Sequence, residues 1–98
     1  MNMQQIMAQA QKIQKDIMAK KGQIDSMSFE GKSDWVTINF KGDRSVEAVN
    51  ITNDAAFDAE NKELLCDMIM LAIKDGLAKI DKETEEKLGS YSQMGGLF

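Results

Sequence analysis

The fold is indicated most clearly by residues 27–52, MSFEGKSDWVTINFKGDRSVEAVNIT. It contains three short segments in which apolar and polar residues alternate, a period of two that is typical of β-strands with one buried face. The segments are residues 27–31, 35–40 and 45–52. The middle segment is the clearest, because Val36, Ile38 and Phe40 all fall on one face of an extended chain.

Short polar stretches join the three segments. Residues 32–34 and 41–44 have the length of hairpin connections, and Gly42 in the second is available for a positive φ. In the last segment the alternation slips between Val46 and Val49, as it does at a β-bulge. The sequence therefore predicts a three-stranded antiparallel meander, with a bulge in the third strand.

The residues before the meander, 1–26, have the pattern of one long amphipathic helix. Apolar residues recur at alternating spacings of three and four, a seam of period 3.5 in which Lys20 is the one polar member. Gly22 costs about 1 kcal/mol inside a helix, so the pattern leaves open whether the helix ends or bends there.

A helix of that length exceeds what the core of a small chain can cover. The full segment would be about 37 Å long, and 98 residues make only a thin core. A second copy of the chain is the simplest cover for the seam. The candidate dimer-interface residues of this helix are Met3, Ile6, Ala10, Ile13 and Ile17.

A second long helix is predicted after the meander, over residues 58–88. Asp58 is its predicted N-cap and Gly89 its predicted C-cap, and residues 89–98 are expected to be a mobile tail. The segment 64–73 is apolar nearly all round, so more than one surface must cover it. The sheet and a partner copy are the two surfaces we expect. Its candidate interface residues are Leu65, Met68, Ile69 and Ala72.

Length and composition indicate a single α+β domain, residues 1–98, with the order α-β-β-β-α. No apolar stretch approaches the roughly 20 residues that span a bilayer, and the N-terminus lacks a signal-peptide core. One cysteine in an apolar run fits a reducing compartment. We expect a soluble, cytoplasmic protein with no membrane partner.

The sequence offers no arrangement of residues that suits catalysis. It has no histidine, and Cys66 has no base to activate it, so we expect Cys66 to be a small buried hydrophobe. The carboxylates of residues 81–87, DKETEEK, have the pattern of a solvated helix face. Neither a metal-spaced cluster nor a Gly-rich phosphate loop is present. We therefore expect a protein that is not an enzyme, with no catalytic residues, metal, cofactor or small-molecule substrate.

Charge is distributed unevenly along the chain. The net charge is −4, yet residues 1–22 hold four lysines against one aspartate, a local balance of +3. Lys12 and Lys15 fall on the face opposite the seam, among glutamines, and such a face suits contacts to phosphates and sugars. A solvated polar face is the plainer interpretation, and the residues alone leave both open.

Four segments in order resemble the YbaB/EbfC family of bacterial nucleoid-associated proteins. IMAQAQKIQKDIMAK (6–20) is similar to that family's opening helix, whose pattern is close to L-M-x-Q-A-Q-x-M-Q-x-x-M. The shared residues are Met7, Gln9, Ala10, Gln11 and Gln14. VTINFKGDRSVEAVNI (36–51), ENKELLCDMIMLAIKDGLAKIDKETEEKLG (60–89) and GGLF (95–98) resemble its strand-turn-strand segment, its second long helix and its C-terminal ending. The resemblance covers essentially the whole chain.

The resemblance implies a tweezer-like α+β homodimer with paired sheets and two long protruding helices. It also implies binding of double-stranded DNA with low sequence specificity, a role in nucleoid organisation or expression, and a place in the cytoplasm with the nucleoid. The candidate DNA contacts are Lys12, Lys15, Lys21, Lys82 and Lys87. The alternative is a dimeric protein-interaction module that uses the Met-rich helix stripe, with DNA binding incidental.

Overall fold

The computed structural model of the chain describes residues 2–92 and has the predicted order α-β-β-β-α. The elements are α1 (Met3–Ser26), β1 (Ser28–Ser33), β2 (Val36–Lys41), β3 (Val46–Ile51) and α2 (Lys62–Ser92). The three strands form one antiparallel sheet in the order β1-β2-β3. The α+β fold class and the meander are therefore confirmed.

The face of β2 that carries Val36, Ile38 and Phe40 is buried, as the alternation predicts. The predicted bulge in β3 is also confirmed. Asn39 pairs with Ala48, whereas the next residue, Phe40, pairs with Val46, so one residue of β3 is left over.

The turn between β2 and β3 differs from the prediction. The residue with positive φ is Arg44, at 73°, and Gly42 does not adopt this conformation. Glycine is needed at position 42 for space, because a Cβ there would lie 1.8 Å from the carbonyl oxygen of Ile24. The Asp43 carboxylate accepts a hydrogen bond of 2.9 Å from the Ser45 amide, which holds the turn.

One face of α2 covers the sheet and makes the main core with it. Val36, Ile38, Phe40, Met68, Ala72 and Ile80 are its buried members. The helix crosses β1 with almost no gap, because a Cβ at Gly31 would lie 2.1 Å from the carbonyl oxygen of Ala72. Backbone therefore touches backbone where α2 passes β1.

This packing shows where the four α2 residues predicted for the dimer interface lie in the single chain. Met68 and Ala72 are buried by the chain's own sheet, and Leu65 and Ile69 pack against the same core. The four residues contact the sheet because they share the helix stripe that faces it. Cys66 lies off that stripe and is exposed, so the expectation that it is buried is wrong.

The second cluster joins the two helices and includes two of the predicted seam residues. Ile17, Ile24 and Leu88 are buried together, with Ile13 and Tyr91 packed beside them. The later residues of α1 lie beside the earlier residues of this end of α2, so the two helices run antiparallel. We call α1 together with residues 80–92 the arm. Ile13 and Ile17 therefore hold the arm together, and Ile17 has little surface left for a partner.

The arm makes the molecule elongated. Its radius of gyration is 19.2 Å and its extents are 69 × 20 × 15 Å, whereas a compact chain of this length has a radius near 13 Å. The helices project past the sheet, as predicted. The α1 residues before Ile13 are exposed along their whole length in the single chain.

Both ends of α2 differ from the predicted bounds. The helix begins at Lys62, because residues 54–61 form two 3₁₀ turns, and Asp58 makes no side-chain cap bond. It continues through Gly89 to Ser92, since packing of Leu88 and Tyr91 on α1 keeps the last turns helical. The rest of the predicted tail, residues 93–98, lies outside the described residues.

The bounds of α1 agree with the predicted segment, although Met1 lies outside the described residues. Asn2 is the N-cap, and its side chain accepts a hydrogen bond of 2.9 Å from the Gln5 amide. Gly22 neither ends the helix nor interrupts it, and the helix continues to Ser26.

Candidate nucleic-acid interface

Lys12 and Lys15 share the outer face of the arm. At 100° per residue, both lie about 140–160° around the helix from Ile17, which is buried against α2. They are three residues apart, so their Cβ atoms are neighbours at about 5–6 Å. Both side chains are exposed. The structure therefore places this predicted pair together on a surface that no other residue between 2 and 92 covers.

Within residues 2–92 neither lysine of this pair forms an ion pair, although Asp16 lies one helical turn from Lys12. Among residues 2–92 the ion pairs join Arg44 to Asp81, Lys79 to Asp75 and Lys87 to Glu83. Lys12 and Lys15 take part in none of them. An exposed cation without a partner keeps its charge available to a phosphate, and its field extends about 8–10 Å at ordinary ionic strength.

Lys21 lies elsewhere, on the flank of α1 that faces the turn between β2 and β3. It lines a cleft of about 300 Å³ whose floor is apolar and whose rim carries both signs of charge. The cleft residues are Lys21, Ile24, Asp25, Gly42, Asp43, Arg44, Ile80, Thr84 and Leu88. Hydrogen bonds from the Ser45 hydroxyl and amide lower the pKa of Asp43, so this carboxylate is held in its charged form. Lys21 therefore faces a mixed surface and does not extend that of Lys12 and Lys15.

The two α2 candidates, Lys82 and Lys87, lie among acidic side chains. Lys82 borders a shallow groove beside β1 together with Glu83 and Glu86. Lys87 is half-buried, and its ammonium group lies 3.3 Å from the carboxylate of Glu83. The five predicted contacts thus do not form one continuous patch, and the α1 pair is the best placed.

Two contacts at the arm escaped prediction. The Lys20 ammonium group lies 4.9 Å from the ring centroid of Tyr91 and 3.4 Å from its hydroxyl, so the one polar residue of the seam is accommodated by an aromatic partner. Arg44 pairs with Asp81 and ties the turn to α2. Both contacts join residues far apart in sequence, so no local pattern signals them.

Among residues 2–92, large apolar side chains remain exposed at Met18 on α1 and in two groups. The first is the free end of α1, with Met3, Ile6 and Met7, of which Met3 is 73% exposed. The second covers β3, the first 3₁₀ turn and the outer faces of α2, and we call it the open apolar surface. Its members are Val46, Val49, Phe57, Leu64, Met70, Leu71 and Ile73.

Two further features of the described residues concern metal sites and membrane-spanning helices. Within residues 2–92, no group of three or more His, Cys, Asp or Glu side chains is arranged to hold a metal ion. No helix of this part of the chain is both long and apolar enough to cross a membrane. What the arm offers is a charged outer face and exposed apolar surface.

Comparison with known proteins finds relatives that match nearly the whole chain. Nucleoid-associated proteins of Lactococcus lactis subsp. cremoris (strain MG1363) and Ligilactobacillus salivarius (strain UCC118) are 44% and 36% identical to this chain over 95 residues. Those alignments cover 95% of this chain, with 95% and 90% of the respective relatives. An uncharacterized protein of Helicobacter pylori, HP0035, has the same fold, with a TM-score of 0.75 at 20% identity over 97% of this chain and 99% of that one.

The family model agrees with these relatives. The model of the YbaB/EbfC DNA-binding family matches residues 1–96, which is nearly the whole chain. The family that the opening helix, the strand-turn-strand segment and the second helix predicted is thereby confirmed. The chain belongs to the YbaB/EbfC DNA-binding family.

Proposed function

We propose that this protein binds double-stranded DNA as a homodimer, through phosphate contacts made mainly by Lys12 and Lys15, and that it serves nucleoid organisation or the regulation of expression. It acts without catalysis, in the cytoplasm with the nucleoid. The observation that carries the proposal is the exposed, unpaired Lys12–Lys15 face on an arm that projects from the body.

The arm suits a backbone-directed interaction. Phosphate contacts position a protein on the duplex without reading its sequence, and Lys supplies a compact charge for them. Lys12 and Lys15 are accompanied by exposed glutamines at positions 11 and 14 on the same helix, which can donate to phosphate or sugar oxygens. The acidic residues are concentrated on α2 and the turns, so the outer face of α1 can approach DNA despite a net charge of −4.

The homodimer is supported by the open apolar surface. Large exposed apolar side chains in such number mark interaction sites on soluble proteins. Val49 on β3 and Ile73 on α2 represent its two sides, with 55% and 37% of their surfaces exposed. A second copy is the partner we propose for it. Dimerisation places two arms on one body, and each arm contributes one Lys12–Lys15 pair.

The salt dependence of binding tests the phosphate contacts. We compare wild type with K12A/K15A on a 30-base-pair duplex by fluorescence anisotropy. The slope of log K against log salt is about −0.9 per phosphate contact, so losing four contacts on two arms reduces it by about 3.6. Between 50 and 200 mM salt, wild type should then lose about 150-fold more affinity than the variant. If only one arm engages, the difference is about 12-fold.

The matched control is K62A/K74A, which removes the same charge from exposed positions of α2 away from the arm. Its slope should stay close to that of wild type. Equal slopes for K12A/K15A and K62A/K74A, with both variants at the wild-type mass, would show that the α1 lysines do not contact phosphates.

Self-association has its own test. V49E/I73E puts two charges into the open apolar surface, and a buried unpaired charge is costly. We expect the variant to sediment as a folded monomer at concentrations where wild type is dimeric. A dimeric V49E/I73E would place the interface elsewhere, with the exposed α1 stripe as the next candidate.

A second candidate function rests on that stripe. Met3, Ile6 and Met7 are exposed at the free end of α1, and Met adapts well to varied partners. In this alternative the arm binds a protein and DNA binding is incidental. K12E/K15E separates the two functions: loss of DNA binding with the dimer intact supports the first, and unchanged DNA binding favours the second.

A further inference from the structure

The rest of the chain covers one edge of the sheet and leaves the other edge exposed. An edge strand presents a row of unpaired N–H and C=O groups, and these form a template for the addition of another strand. With the order β1-β2-β3, both β1 and β3 are edges. How the chain covers each one decides where another strand can pair.

Two side chains of α2 occupy backbone groups of β1. The Lys32 amide donates a hydrogen bond of 2.9 Å to Oδ2 of Asp75. The Lys79 ammonium group donates one of 2.7 Å to the carbonyl oxygen of Glu30. Glu30 and Lys32 are two residues apart, so these groups point to the same side of the strand. One donor and one acceptor that an added strand would need are thereby occupied.

The two side chains also hold each other in place. Nζ of Lys79 lies 3.0 Å from Oδ2 of Asp75, an i,i+4 pair on one helix face. The hydrogen bonds from Lys79 and from the Lys32 amide lower the pKa of Asp75, so its carboxylate persists as an acceptor at neutral pH. The contact of Gly31 with the α2 backbone fixes the helix at this distance.

The edge formed by β3 has no such cover in the single chain. Within the described part of the chain, no side chain forms a hydrogen bond to the backbone of Val46–Ile51. Val46 and Val49 are each 55% exposed beside it. The backbone of β3 thus remains available where β1 is closed.

We propose that the Asp75–Lys79 pair closes the β1 edge to strand addition, so that pairing of the sheet with a further strand is confined to the β3 side. A sheet with two open edges can add copies without limit, as heterologous contacts do. Closing one edge ends such growth. The device works on the strand backbone and does not depend on DNA binding.

The test removes the pair and measures the hydrogen exchange of the Lys32 amide and the mass of the protein in solution. In D75A/K79A, the Lys32 amide loses its acceptor, and its hydrogen exchange should become at least about tenfold faster than in wild type. Light scattering should show a mass that rises with protein concentration beyond that of wild type. The matched control is E83A/K87A, which removes another i,i+4 pair of α2 that touches no strand backbone. Its Lys32 exchange and mass should equal those of wild type.

Two results would overturn the proposal. One is a folded D75A/K79A whose Lys32 amide exchanges as slowly as in wild type. The other is a variant with faster exchange whose mass still equals that of wild type up to millimolar concentration. If D75A/K79A does not fold, K79A decides, because it leaves Asp75 on the Lys32 amide and frees the Glu30 carbonyl. A concentration-dependent mass for K79A supports the proposal, and a constant mass refutes it.

Discussion

Gly31→Ala is the substitution that most directly probes how α2 meets the sheet. A Cβ at this position would lie 2.1 Å from the carbonyl oxygen of Ala72 and 2.9 Å from the amide nitrogen of Gly76. Ordinary contact begins at 3.4 Å, so the strand and the helix must separate by 3.4 − 2.1, or about 1.3 Å. Both obstacles are backbone atoms, and no side-chain rotation can relieve them.

The expected cost follows from that separation. Overpacking costs about 1–3 kcal/mol. The same movement would stretch the Lys32–Asp75 hydrogen bond, now 2.9 Å, beyond bonding distance and cost about 1 kcal/mol more. A loss of about 2–4 kcal/mol should lower the melting temperature by about 10–25 °C in a domain of this size.

Thermal and urea unfolding, followed by circular dichroism at one protein concentration, measures this loss. Gly22→Ala is the matched control, because nothing lies within 4 Å of a Cβ there. Alanine in that exposed helix should raise stability by about 1 kcal/mol. A G31A protein as stable as wild type would refute the close packing of α2 on β1.

Two further predictions concern the packing of the arm and the stability of the fold at acidic pH. Leu88→Ala should lower the free energy of unfolding by about 2–3 kcal/mol, because it removes a large side chain from a small cluster with Ile17 and Ile24. The amide hydrogen exchange of α1 should become faster, and unchanged exchange would contradict this packing. The pKa of Asp75 is lowered in the folded state, so its contribution to stability is complete above the ordinary value of 3.8 and is lost as pH falls through the folded value. D75N should therefore lose less stability than wild type on acidification in urea titrations, and parallel curves would refute the Asp75 contacts.

The sequence predicts those features of the fold that depend on local patterns. Alternation places Val36, Ile38 and Phe40 on the buried face, and its interruption in the third strand marks the bulge. The seam predicts α1 itself but leaves open whether Gly22 ends it, and the structure shows the helix continuing to Ser26. These signals lie within a few residues of the features they predict.

What depends on distant contacts was missed or misplaced. In the nearly all-apolar first half of α2, no local signal shows which stripe faces the sheet, so the burial of Met68 and Ala72 against it is visible only in the structure. The helix continues past Gly89 because Leu88 and Tyr91 pack against α1, and the sequence of α2 alone does not indicate this contact.

For the candidate site, the sequence predicts only the positions of its lysines on the helix. Helix periodicity alone places Lys12 and Lys15 on the outer face of α1, where both are exposed. The surroundings of Lys21 and Lys87 depend on the turn between β2 and β3 and on a carboxylate one helical turn away. Charge partners of this kind decide whether a lysine is available, and only the structure shows them.

We propose that the arms of this acidic protein bind DNA. The most direct measurement is a gel-shift titration of wild type with duplex DNA at about 50 mM salt, on a sample whose mass is determined by light scattering at the same concentration. We expect a dimer that shifts the duplex at low salt and releases it as salt rises. A confirmed dimer that leaves the duplex unshifted at low salt would contradict the proposal.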